Sequence, residues 1–157
     1  MARIRTELTI DASPEAVWAL VTDWPAQSRW IPLTAVTIDQ HSPAGSGLGT
    51  RFTGRTRLGP IRFDDPMEVT QWQPATAGAS GHCQVRKLGP WLTGQAAIDV
   101  RPAGVGTRVA WSEDVRLRWM PAFADRVLGP VIAAVGAALF GRTLRKMAAE
   151  LARSRPE

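Results

Sequence analysis

From Pro121 to Arg153 the chain is written for helix, and the stretch Gly129-Pro-Val-Ile-Ala-Ala-Val-Gly-Ala-Ala-Leu-Phe-Gly141 in its middle is apolar on nearly every side. Beyond Arg142 the pattern turns amphipathic. Leu144, Met147 and Leu151 recur three and four residues apart on one stripe, while Arg142, Arg145, Lys146 and Glu150 fall off it. The segment reads as one long helix or as a short helix followed by a long one. Either way it needs a large apolar partner, and everything ahead of it reads as short alternating strands. A curved antiparallel sheet gripping the helix satisfies both parts of the chain.

Ile4, Thr6, Leu8 and Ile10 alternate with Arg3, Arg5, Glu7 and Thr9, the period of a half-buried strand. Asp11-Ala-Ser-Pro-Glu15 then switches to helix-start chemistry, with Ser13 as N-cap, Pro14 at the first helical position and Glu15 favourable to the helix dipole. A second short helical turn fits 26–30, ahead of Pro32. Strands resume over 33–41, and Ser42 to Gly47 forms a turn.

The next two strands, 49–58 and 61–72, are joined by Gly59-Pro60, and a two-residue connection sets Leu58 opposite Ile61. Phe52, Gly54, Thr56, Phe63, Asp65, Met67 and Val69 then share a face, with Arg51, Arg55, Arg57, Arg62, Asp64 and Glu68 on the other. Pro66 predicts an edge or a bulge beside Asp65. The same rule across Gly89-Pro90 gathers Cys83, Val85, Leu92, Gly94, Ala96, Ile98 and Val100 on one face of strands 82–88 and 91–101. On the last strand, 107–119, Val109, Trp111, Glu113, Val115, Leu117 and Trp119 align, so a carboxylate lands in an apolar row.

The 157 residues make a single domain, 1–157, with no internal repeat. The N-terminus alternates like a strand instead of a leader, and the longest apolar run, roughly 128–140, is too short to span a bilayer, so a cytoplasmic location is expected. A lone Cys83 excludes an internal disulfide and reads as a small buried hydrophobe. His41 and His82 read as surface residues and form no metal set with it, and no cofactor is expected. The formal charge of +5 permits an anionic partner, yet the arginines are scattered at strand spacing. They read as a solvated outer face and not as a nucleic-acid surface. Phosphate-loop, nucleophile-elbow and dinucleotide signatures are absent.

In this order the chain resembles the START-like, or SRPBCC, helix-grip superfamily of polyketide cyclase/dehydrase-like and lipid-transfer proteins. The resemblance rests on Ile10-Asp-Ala-Ser-Pro-Glu-Ala-Val-Trp18, Asp23-Trp24 with Trp30, Gly47-Leu-Gly-Thr-Arg-Phe52, Met67-Glu-Val-Thr-Gln-Trp-Gln-Pro74, Gly106-Thr-Arg-Val-Ala-Trp111 and the closing helix. It implies an α+β fold: a seven-stranded curved antiparallel sheet wrapped around a long C-terminal helix, two short helices after the first strand, and a cavity between sheet and helix. No catalytic motif is carried over by it.

The inward face mixes large residues, Phe52, Phe63, Met67 and Trp111, with small ones, Gly54, Gly94 and Ala96, and the helix adds Gly136 and Phe140. Such a set makes either a tight core or a cavity, and the resemblance favours the cavity. Trp30, Phe52, Thr56, Phe63, Met67, Ala96, Trp111, Glu113, Gly136 and Phe140 are the expected ligand-binding residues. Trp24 and Trp30 form a lid over its mouth or a plug at the end of the sheet. Glu113 is either a buried anchor or acid/base with a raised pKa, or a residue near the sheet end paired with arginine or solvent. Asp65 is the second candidate for moving a proton.

Three functions follow. The first is binding or transport of a small hydrophobic ligand: a lipid, polyketide or aromatic. The second is a cyclase or dehydratase using Glu113 or Asp65. The third is a module docking on an anionic membrane or protein through its basic sheet face, with Trp119-Met-Pro-Ala-Phe123 as an apolar patch.

Overall fold

In the computed structural model, which describes residues 2–43 and 47–154, the change from strand to helix after the first ten residues follows the expected chemistry. β1 (Ala2–Ile10) ends at Asp11-Ala12, and α1 (Pro14–Val21) starts with the Ser13 hydroxyl accepting from the Ala16 amide at 3.3 Å. Pro25–Arg29 is a 3-10 helix. There follow β2 (Thr34–Gln40), β3 (Arg51–Leu58), β4 (Ile61–Gln73), β5 (Gly81–Lys87), β6 (Leu92–Ala103), β7 (Gly106–Leu117) and α2 (Ala122–Arg153). The expected turn at 42–47 lies partly outside the described residues.

The strands form one antiparallel sheet in the order β1-β7-β6-β5-β4-β3-β2. Each strand from β3 onward lies beside its predecessor, and β1 closes the far edge by pairing with β7, Ala2 opposite Val115 through Ile10 opposite Thr107. This is the seven-stranded helix-grip architecture, with a long C-terminal helix and two short helices after the first strand.

Leu58 does face Ile61. The hairpin at Gly89-Pro90 is wider than two residues: β5 stops at Lys87, which pairs with Gly94. The pairing is offset by two positions from the tight-hairpin expectation, and an even offset leaves every side chain on its expected face. β7 ends at Leu117, so Trp119 lies beyond the strand and is exposed. Pro66 sits in an interior strand without a bulge. Its carbonyl accepts from the Leu88 amide just beyond the end of β5, so its missing N–H faces a side where the neighbouring strand has already stopped. The bulge falls at Thr70, between Val69 and Gln71.

α2 is one helix of 32 residues, not two, and Pro130 lies inside it. It runs against β1, and the small residues of its middle permit the approach: a Cβ on Gly136 would lie 2.5 Å from Ile4 Cδ1. Its second half buries Thr143, Leu144 and Met147 into a core shared with Val17, Trp18 and Val21 of α1 and with Val69, Cys83, Val100 and Val109 of the sheet. Burial pushes the Cys83 thiol up to about 12, in keeping with an inert small hydrophobe. Because α2 hugs the β1 edge, the inner face of the strands toward β2 is not covered by α2.

Candidate functional site

That inner face is the floor of a cavity of about 540 Å³. β3 contributes Phe52, Gly54 and Thr56, β4 Phe63, Asp65 and Met67, β5 Val85 and Lys87, β6 Ala96 and Ile98, and β7 Trp111 and Glu113. Val135, Leu139 and Phe140 of α2 form one wall, and Trp24, Gln27 and Ile31 to Leu33 form the other. Aromatic rings brace it on two sides. Trp24 stacks on Phe52 with centroids 4.3 Å apart, and Trp111 stacks on Phe140 at 4.9 Å.

The polar content converges at one point. Lys87 Nζ donates to Asp65 Oδ2 at 2.5 Å and lies 3.6 Å from Glu113 Oε2, while the Trp111 indole N–H donates to Glu113 Oε1 at 3.2 Å. All three charged residues are at most 9% exposed. Asp65 Oδ1 is, among the described residues, a buried side-chain oxygen with no hydrogen-bond partner.

Burial pushes the Glu113 carboxyl above the ordinary glutamate value, against the opposing pull of Lys87 and the Trp111 N–H. For Lys87 burial acts to release the proton, but the carboxylates of Glu113 and Asp65 outweigh it and hold the ammonium protonated above the usual lysine range. Lys87 is therefore a cationic hydrogen-bond donor and not an amine nucleophile. The cluster offers a donor at Lys87, an open acceptor at Asp65 and a titratable carboxyl at Glu113, at the floor of a mainly apolar chamber.

Eight of the expected binding residues come together in this cavity: Phe52, Thr56, Phe63, Met67, Ala96, Trp111, Glu113 and Phe140, and Asp65 joins them. Trp30 and Gly136 lie elsewhere. Trp30 is buried and its indole N–H donates to Glu150 Oε2 at 2.9 Å, so it is a plug tying the 3-10 helix to α2, whereas Trp24 reaches the cavity. Gly136 rests on Ile4 and borders a second, more open cleft of about 370 Å³ under the first half of α2, which Glu113, Leu92 and Val135 also touch. Lys87 is the residue that sequence reasoning missed. The signal was present, because Lys87 continues the inward alternation of Cys83 and Val85. His82 stays on the outer face, paired with Asp99 at 2.9 Å.

The family model described as polyketide cyclase / dehydrase and lipid transport matches residues 1–153. No curated protein sequence matches the chain. Among solved structures, a protein of Thermus thermophilus aligns with TM-score 0.77 at 18% identity, covering 98% of this chain and 99% of that one. A conserved protein of Geobacillus kaustophilus aligns with TM-score 0.69 at 16% identity, covering 97% and 96%. Norcoclaurine synthase of Thalictrum flavum, in complex with dopamine and hydroxybenzaldehyde, aligns with TM-score 0.63 at 13% identity, covering 99% of this chain and 88% of that one. At these identities the likeness is one of fold.

Proposed function

This chain belongs to the polyketide cyclase / dehydrase and lipid transport family, and we propose that its part in the hydrophobic-ligand role of that family is to bind an uncharged, mainly apolar molecule carrying a hydroxyl group. The apolar body occupies the chamber between sheet and α2, and the hydroxyl meets Asp65 and Lys87. The observation that carries the reading is Asp65 Oδ1, a buried acceptor in want of a donor. A hydroxyl can donate to it and accept from Lys87 in the same pose. Charge points the same way. The cluster holds two carboxyl groups and a single cation, so a carboxylate ligand would add an anion to a buried site that is already neutral or negative.

Native mass spectrometry of the purified protein against matched pairs, a fatty alcohol with its fatty acid and a naphthol with its naphthoate, tests this. The hydroxyl compound of each pair is expected to bind at least tenfold more tightly. Equal or tighter binding of the carboxylates would overturn the assignment.

A second reading, a cyclase or dehydratase, draws on the raised pKa of Glu113 beside a protonated lysine. Here Glu113 takes a proton from carbon or gives one to a departing hydroxyl, and Lys87 stabilises the adjacent oxyanion. Glu113→Gln would leave ligand affinity within a few-fold and abolish turnover. Full turnover in that variant would exclude Glu113 as the acid or base.

A further inference from the structure

The surplus of positive charge is divided between the sheet and the helix. On the outer face of the sheet several arginines stand in cross-strand pairs: Arg3 with Asp114 at 3.0 Å, Arg55 with Asp64 at 3.1 Å, Arg86 with Glu68 at 3.3 Å and Arg51 with Glu68 at 3.6 Å. α2 carries five basic residues against two acidic ones. One of those two, Glu150, is held by Arg29 and Trp30. The sheet face keeps a positive surplus of its own, with Arg57, Arg108 and Arg116 standing outside these pairs, and α2 is a second cationic element.

The outer face of that helix is also apolar in its first half. Phe123, Val127, Val131 and Val135 follow one another at four-residue steps, each 59–74% exposed, over about 18 Å of helix. A contiguous row of this kind is unlike the single exposed apolar residues of an ordinary surface. Further along the same helix, Arg142, Arg145 and Lys146 are all exposed, and Arg126 is exposed near its start. Val135 also lines the main cavity, so the row runs to the cavity's rim. Exposed Leu33 and Leu58 stand on the rim as well.

We propose that the outer face of the first half of α2 docks on an anionic lipid bilayer. The valine and phenylalanine row enters the headgroup–acyl boundary, the flanking cations meet lipid phosphates, and the cavity mouth is turned toward the lipid. The exposed cations along the same helix as the apolar row select an anionic occupant, and a nucleic acid has no use for the apolar row. By length and composition α2 could cross a membrane, but its second half is buried in the core at Thr143, Leu144 and Met147, so the helix lies on the bilayer and does not span it. The docking face stands independently of what the cavity holds.

Flotation with vesicles of phosphatidylcholine alone, and of phosphatidylcholine mixed with phosphatidylglycerol, tests the proposal. The protein is expected to float with the anionic vesicles, to stay behind with the neutral ones, and to detach as salt is raised. Val127→Asp should lower the bound fraction at least tenfold, and Arg142→Glu with Lys146→Glu should weaken binding roughly fivefold for each cation removed. All of these side chains are exposed, so circular dichroism should be unchanged. Cavity occupancy is read separately by native mass spectrometry, so an empty cavity and a failure to dock are distinct results. The proposal is overturned if the wild-type protein ignores anionic vesicles or if Val127→Asp floats as well as the wild type. It is equally overturned if sedimentation shows a dimer that Val127→Asp dissociates, which would give the face to a second copy.

Discussion

Lys87 on β5 and Glu113 on β7 meet across the strand that lies between them, with Nζ and Oε2 3.6 Å apart. The β6 residue opposite Lys87 is Gly94, and the one opposite Glu113 is Ala96, so no bulky side chain stands in the way. Gly94 adopts φ +129°, and a Cβ there would lie 1.9 Å from the Asp114 carbonyl oxygen, so the position admits no other residue without a shift of β7. Two small residues on one strand thus join charges from β4, β5 and β7 into a single cluster.

The cluster makes stability depend on pH in a definite direction. The Glu113 carboxyl is raised in the folded protein, so the native state holds that proton more tightly than the unfolded chain does. Its contribution is complete below the ordinary value of 4.5 and is lost as pH rises through the raised value. Glu113→Gln removes the titration. Urea unfolding of both proteins should show the stability of the wild type falling relative to the variant as pH rises from 4.5 toward neutrality. Parallel curves would contradict the burial of an ionisable Glu113.

Removing the cation should be costly, and removing its partners as well should restore much of the loss. Lys87→Met leaves Asp65 and Glu113 buried without a countercharge, at a cost of about 3–5 kcal/mol. Adding Asp65→Asn and Glu113→Gln neutralises the stranded groups. Chemical denaturation of the single and triple variants measures the difference, and a triple variant no more stable than Lys87→Met would show that packing, not charge, sets the cost.

Ala96 and Gly136 are both small, but only Ala96 lines the main cavity. Ala96→Phe should fill the chamber and abolish ligand uptake, with an overpacking cost of about 1–3 kcal/mol. Gly136→Leu should drive α2 away from Ile4, lowering the melting temperature without putting a side chain into the chamber, so that ligand uptake is weakened but not abolished. Native mass spectrometry and thermal melts, run together, separate the two.

Trp30→Phe keeps an aromatic side chain, though a smaller one, and removes the N–H that reaches Glu150. A lost hydrogen bond to a charged acceptor costs about 1.5–3 kcal/mol. Faster amide hydrogen exchange over 25–30 is expected to accompany it, because this bond ties the 3-10 helix to α2.

The fold is legible in the sequence because its signals are local and redundant. Alternation in the hairpins assigns the inner face, and even the wider connection at Gly89-Pro90 changes nothing, since an offset of two preserves the face. Phe52, Phe63, Met67, Ala96 and Trp111 follow from the same rule. What pattern does not supply is the distance between elements. Gly136 reads as a source of empty space and is a point of close contact, because the helix leans on β1 instead of centring on the sheet. Trp30 reads as part of the cavity until the Glu150 carboxylate gives its N–H another destination. Lys87 escapes notice because a lysine at a strand end is ordinarily solvated. Its burial depends on carboxylates from two other strands, and that is a property of the assembled sheet.

The pairing of β1 with β7 sets an order of events during synthesis. Arg3 and Asp114, joined by a hydrogen bond, are 111 residues apart in the chain, so the first strand made waits for the last before it gains its neighbour. α2 is made later still. A nascent chain with its seven strands already outside the ribosome presents an apolar concave surface with nothing over it, and at that moment it is most open to aggregation or to capture by a chaperone.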